Sequence, residues 1–240
     1  MFLDGATTWQ LCERALAVAF VGAILGLDNI AVGQFMLAQP AVGAVLVGFL
    51  VHEPLAGVWA ALTFQLLWAG QLPVGAYVPP NAAIMAIAAV GMAAPPAPVP
   101  FPLRVVAAAA LAVPVGIAAG RLDIWAKTRN VAVLHRAERD LLDGRPFALG
   151  AALMKGAAHF FLKDFFLLLV AVFAGGYALT LALPHLGAAA DKAAAAAFAG
   201  SPAVGLGVAL RTYWNRRHAA AFAGGAVAAA LAMLSLVTAL

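Results

Sequence analysis

Few side chains in this 240-residue chain could do chemistry, and those embedded in apolar sequence gather at two places. Asp28, Asn29, Gln34 and Gln39 follow the run ALAVAFVGAILGL, while Gln65 and Asn81 flank the phrase AGQLPVGAYVPP, which itself contains Gln71. Amides both donate and accept hydrogen bonds, which suits hydroxyl-rich ligands such as sugars. Asn81 follows a proline pair and so falls in the first turn of a new helix, where its side chain and neighbouring N–H groups can point into a cavity. Asp28 is the one carboxylate of the set, and an acid at membrane depth marks a functional site by default. Plainer readings stand beside these. A lone Gln or Asn in a membrane helix more often glues helices together, and Asp28 could simply lie at the interface where the first helix ends.

The elements that must position these residues follow from hydropathy and punctuation. The first apolar run, residues 15–27, continues to Leu37 if Asp28 and Gln34 are tolerated inside it. Residues 41–51 are apolar but short, ending at His52-Glu53-Pro54, a length that fits a half-crossing. The stretch from residue 55 runs into Gly70, Pro73, Gly75, Pro79 and Pro80, and no straight helix survives that. Breaks are thus expected at Gly33–Pro40 and Gly70–Asn81. Non-helical backbone at membrane depth is tolerated only where protein buries it or a cavity borders it, and transporter sites are commonly built there.

Beyond Asn81, an Ala-rich run reaches Ala94, and the cluster PPAPVPFP makes a stiff extended connector before a span at 103–120. Residues 121–146 are the most polar part of the chain and read as a polar cytoplasmic loop by the positive-inside rule. The stretch 147–164 reads as an interfacial segment, with the adjacent Lys163-Asp164 as an anchor. Residues 165–183 cross once, 193–210 form a span or a re-entrant pair interrupted at Ser201-Pro202, and 219–240 run out again after Arg211, Arg216 and Arg217.

Composition bounds the function. The chain is 65% hydrophobic and only 10% charged, with a mean hydropathy of +0.98. Soluble domains carry about 25% charged residues, so too little charge is present to cover a water-exposed surface. The expected fold class is all-α: one polytopic integral membrane domain over 1–240, with about six to eight spans or half-spans, including broken or re-entrant helices. Cys12 is alone, and the five His residues lack metal-ligand spacing, so no metal or other cofactor is expected. The +4 balance sits beside apolar segments and points to membrane orientation rather than nucleic acid. No nucleophile-and-base set or phosphate-binding glycine loop appears, so no catalytic residue is expected.

Two phrases carry a family resemblance: GQFMLAQPAVGAVLVGF from Gly33 to Phe49, and LTFQLLWAGQLPVGAYVPPNAAIMA from Leu62 to Ala86. Their order and spacing resemble the enzyme IIC component of the mannose/fructose/sorbose family of the bacterial sugar phosphotransferase system, most specifically over residues 20–90. The resemblance implies a permease subunit in the bacterial cytoplasmic (inner) membrane that pairs with an integral IID subunit and moves a hexose-type sugar by an elevator-like motion. It further implies soluble IIA and IIB phosphocarriers and an oligomeric assembly, with the IIC subunit itself not phosphorylated. Three positions that often carry acids in that family are amides here: Gln34, Gln65 and Asn81.

The resulting expectation is a sugar-translocating IIC subunit of a phosphoenolpyruvate-dependent system, with Gln34, Gln65 and Asn81 at the substrate and Asp28 nearby. The alternative is a non-transporting regulatory or scaffolding subunit descended from such a permease, motivated by the amides. A proton-coupled secondary transporter using Asp28 is a third reading.

Overall fold

A computed structural model describes residues 4–28, 33–70, 78–94, 98–145 and 149–213. Asn29, Gln71, the turn residues Pro73 and Gly75, the cluster residues Arg216 and Arg217, and the expected segment 219–240 lie outside them. Among the described residues are seven α-helices and one short 3-10 turn, with no strand: α1 Gly5–Leu27, α2 Pro40–Leu50, α3 Pro54–Trp68, α4 Ala82–Met92, α5 Phe101–Leu142, α6 Leu149–Ala182 and α7 Ala188–Tyr213. Four of these (α1, α5, α6, α7) are long and apolar enough to cross a bilayer. The protein is an all-α, multi-pass membrane protein.

Of the three short helices, α4 lies in the interior, while α2 and α3 each keep one apolar face exposed, with Phe49 and Leu55 on it. At 11 residues, α4 spans roughly 16 Å, about half of a hydrocarbon core. All ten residues from Ala83 to Met92 are buried, so α4 is apolar on every side because protein surrounds every side. Contact with α1 comes through Gly22, where an added Cβ would lie 3.1 Å from Ile87 Cγ2; contact with α6 comes through Val172, which an added Cβ at Gly91 would meet at 2.8 Å. At the start of α4, Pro79 and Pro80 press on α5 at Gly120 and Asn81 and Met85 press at Gly116, a small-xxx-small face that lets irregular backbone approach a helix closely.

Helices α2 and α3 make a tight hairpin. His52 takes a left-handed φ of 60°, and the Glu53 amide donates to the Gly48 carbonyl at 2.8 Å, reversing the chain within three residues. The pair closes on glycine: a Cβ on Gly57 would lie 2.7 Å from the Ala44 carbonyl oxygen. Helix α7 covers α3, with Trp59 Nε1 donating to the Phe198 carbonyl at 2.8 Å and the two rings stacked at 5.3 Å. Arg104, expected to reach the interface, pairs at 2.8 Å with Glu53, the residue just before α3.

Two sequence expectations need correction. Residues 121–142 are not a loop: they continue α5, whose 42 residues extend roughly 63 Å, about twice a hydrocarbon thickness. Their composition of Ala, Leu, Arg, Lys and Glu has high helix propensity, and pairs such as His135–Glu138 decorate the projecting helix. Nor is 149–164 a separate interfacial segment, since it is continuous with the crossing helix α6. The open choice at 193–210 resolves as one helix, in which the Ser201 hydroxyl donates back to the Ala197 carbonyl beside Pro202.

Candidate functional site

Polar groups inside the bundle collect in two places. The first is the break between α1 and α2. Asp28 ends α1 and is 6% exposed, and its carboxylate accepts from the amides of Phe35 at 2.7 Å, Leu37 at 2.7 Å and Ala38 at 3.3 Å. The loop so held contains three left-handed residues, Gly33, Gln34 and Met36, with φ of 83°, 56° and 65°. Two of them are not glycine, a conformation that persists only when surrounding interactions enforce it. Asp28 supplies that enforcement and presents Gln34 exposed on the loop.

Gln65 reaches this region from α3. Its Oε1 accepts from the Ala41 amide at 3.2 Å, and its Nε2 donates to Gln39 Oε1 at 3.4 Å. Ala41 lies in the first turn of α2, where amides lack intrahelical partners, and Gln39 makes no side-chain cap of its own. Gln65 therefore caps the neighbouring helix from outside it.

The second place is the start of α4. Asn81 caps this helix, accepting from the Ile84 amide at 3.1 Å, while its Nδ2 donates to Asp123 Oδ2 on α5 at 3.2 Å. Asp123 Oδ1 lies 2.6 Å from Lys163 Nζ, a charge contact outside hydrogen-bond alignment, and the same ammonium donates to Asp164 Oδ1 at 2.6 Å. The side chains of Lys163, Asp164 and Asp123 are 2%, 2% and 9% exposed. Asp164 also packs against α1, where an added Cβ on Gly26 would come within 2.6 Å of Oδ2. Four helices thus meet on one lysine, two carboxylates and one amide.

This corrects the reading of Lys163-Asp164 as an interfacial anchor. Adjacent residues do not share a helix face, but the long lysine stem curls so that its ammonium reaches Asp164 and Asp123 together. Sequence reasoning missed Asp123 as a site residue altogether. The signal available for Lys163-Asp164 was their place between aromatic pairs in FFLKDFF, within a helix long enough to cross, and nothing comparable marks Asp123.

Of the four residues singled out from sequence, Asp28 and Gln34 share the first loop, and Gln65 joins the adjoining start of α2 through Gln39 and Ala41. Asn81 belongs to the second group. The amide at 81 is matched to its neighbour: it donates to Asp123, which a carboxylate could not do. Each group combines a helix N-terminus with polar side chains at a break, an arrangement able to orient a hydroxylated solute. Among the described residues, no group of three or more His, Cys, Asp and Glu could hold a metal.

Comparison with known proteins agrees with this architecture. A solved structure described as a membrane protein is similar over 99% of this chain and 93% of its own, at 19% identity and a TM-score of 0.62, a likeness of fold. A cryo-EM structure of the mannose transporter ManYZ with a microcin aligns over 100% of this chain and 95% of its own, at 20% identity and a TM-score of 0.42. No curated protein matches by sequence. The family model for the sorbose-specific IIC component of the phosphotransferase system matches residues 13–240. With nearly the whole length matched, the chain belongs to the sorbose-type IIC family of phosphotransferase-system sugar permease components.

Proposed function

We propose that this protein is the sugar-translocating IIC subunit of a phosphoenolpyruvate-dependent phosphotransferase system of the mannose/fructose/sorbose type. It lies in the bacterial cytoplasmic membrane and forms the sugar path with a IID subunit in an oligomer. Soluble IIA and IIB proteins deliver phosphate to the incoming hexose-type sugar. Gln34, Gln65 and Asn81 are the side chains offered to sugar hydroxyls, and Asp28 acts by fixing the loop that carries Gln34.

The observation that carries this reading is the enclosed half-helix α4, capped by Asn81 after the non-helical residues 78–80, in a chain of this family. The amides at 34, 65 and 81 favour the second reading, a regulatory subunit that no longer transports. Against it, Asn81 is backed by the carboxylate of Asp123, so negative charge is present one hydrogen bond away.

The experiment is phosphoenolpyruvate-dependent formation of labelled sugar phosphate in vesicles holding this chain, its IID neighbour and the carriers, across mannose, fructose, sorbose and amino sugars. Product from one sugar, lost in Gln65→Ala while the complex still assembles, is the expected outcome. An assembled complex that phosphorylates none of them supports the regulatory reading. Uptake that needs a proton gradient and no phosphoenolpyruvate would support secondary transport.

A further inference from the structure

Helices α5 and α6 run antiparallel and leave a groove of about 510 Å³ between them, open to the side of the bundle. Leu122, Leu162, Phe166, Leu167 and Val170 form its apolar length, and Trp125 with His159 form its end. Lys163 also borders it, but its ammonium is turned inward to Asp123 and Asp164, so only the alkyl stem faces the groove. The lining is exposed where a soluble protein would hide it: Phe166 is 57% exposed and Val170 64%. In a membrane, this surface meets acyl chains or another protein.

The polarity changes in order along the groove. Trp125 meets His159 edge-on at 6.3 Å, and the His159 ring is held by Asn130 at 2.6 Å. One turn beyond Trp125 on α5 stands Arg129, with its guanidinium 5.5 Å from the Trp125 ring. One turn beyond His159 in the same direction stands Lys155 on α6, because Asn130 also donates to the Gly156 carbonyl and sets the two helices level there. Arg129 and Lys155 are both exposed. The sequence is therefore aliphatic, then aromatic, then twice cationic. That gradient matches acyl chain, interfacial glycerol region and anionic phosphate, and basic pockets between transmembrane helices are known to take lipid head groups.

We infer that the α5–α6 groove is a binding site for one anionic phospholipid, with its acyl chain along Leu162, Phe166 and Val170 and its phosphate between Arg129 and Lys155. Trp125 is held by Arg129 on one side and His159 on the other, as the interfacial ring of the site. A partner helix is the competing occupant, but it would have to bring its own acids to the two exposed cations, whereas an anionic lipid supplies both the chain and the charge.

The test uses the full chain with its IID partner, released from nanodiscs of phosphatidylcholine with a minor share of phosphatidylglycerol, and reads retained lipid by native mass spectrometry. Retention of one phosphatidylglycerol in preference to phosphatidylcholine is expected. Arg129→Ala with Lys155→Ala should lower the affinity for phosphatidylglycerol relative to phosphatidylcholine about thirty-fold, on a contribution of one phosphate–cation interaction per residue, and Arg129→Lys with Lys155→Arg should restore most of it. Val170→Trp, which fills the apolar end without altering charge, should also lower it in a complex of normal size and assembly. Free glycerol phosphate should not compete, which separates a lipid site from a phosphate site. Equal retention of both lipids, unchanged retention in the double alanine variant, or efficient cross-linking of Phe166→Cys to a neighbouring subunit in membranes would each overturn the inference.

Discussion

The α1–α2 break and the junction at the start of α4 both bury carboxylates inside an apolar bundle, and they stabilise them by opposite means. Asp28 is satisfied by three backbone amides from residues seven to ten positions along the chain. Asp123 and Asp164 share one lysine, and α5 must pack against α6 before its contact with Asp123 exists. A carboxylate held by local amides fixes a loop. A carboxylate pair from two helices held by one shared ammonium fixes how those helices pack, and it leaves an excess of acid over base at membrane depth.

The sharpest way to break the contrast is to remove the shared cation. Lys163→Met leaves two buried carboxylates without their partner, and losing one member of a buried ion pair costs roughly 3–5 kcal/mol. The expected outcome is a large fall in the temperature at which the detergent-solubilised protein loses its monodisperse size-exclusion peak. Adding Asp123→Asn and Asp164→Asn to Lys163→Met should recover most of that loss, because the uncompensated charges are then gone. Equal behaviour of the single and triple variants would mean that the cluster does not organise the packing of α5 and α6.

The two regions also differ in how well they could be read from sequence. The break before α2 announces itself locally: an acid ends an apolar run, a glycine allows positive φ, and Pro40 opens the next helix. The half-length of α2 was legible for the same reason, since a short apolar run and its flanking prolines are local properties, whereas the enclosure of α4 was not. The link from Lys163 to Asp123 was not, because it joins residues 40 positions apart on different helices, and nothing in either neighbourhood names the other. Residues 121–142 were misread because composition alone does not separate a polar helix standing out of the membrane from a polar loop. The start of α6 was misread in the same way, with Lys155, His159, Lys163 and Asp164 suggesting a surface when two of the four are buried.

Asn81 lets the comparison be made more exact. Asn81→Asp introduces an acid and keeps a good helix cap, so the cap hydrogen bond to Ile84 should survive. What it removes is the donor to Asp123, setting a third carboxylate beside the two that share Lys163. Loss of a buried donor with added like-charge repulsion should cost on the order of 2 kcal/mol. The thermal midpoint should therefore fall, by less than in Lys163→Met, and a further Asp123→Asn should return it. No change in Asn81→Asp would show that Asp123 does not depend on the amide.

Asp28 should give the smallest effect, and the most local one. Asp28→Ala removes the acceptor for Phe35, Leu37 and Ala38, yet residues 33–37 are exposed and can find other partners as the loop relaxes. The net cost is about 1–2 kcal/mol, well below that of an orphaned charge in the bundle. Hydrogen exchange should separate the two regions cleanly. Amides 33–39 should lose protection in Asp28→Ala while those of α5 and α6 keep theirs, and Asp28→Asn should fall between, since a neutral amide oxygen accepts more weakly than a carboxylate. If protection is lost across α6 instead, the Asp28 loop is coupled to the Asp164 contact through Gly26, two residues upstream. The two buried acids would then act as one unit, and the loop that presents Gln34 would report the state of the charge cluster behind it.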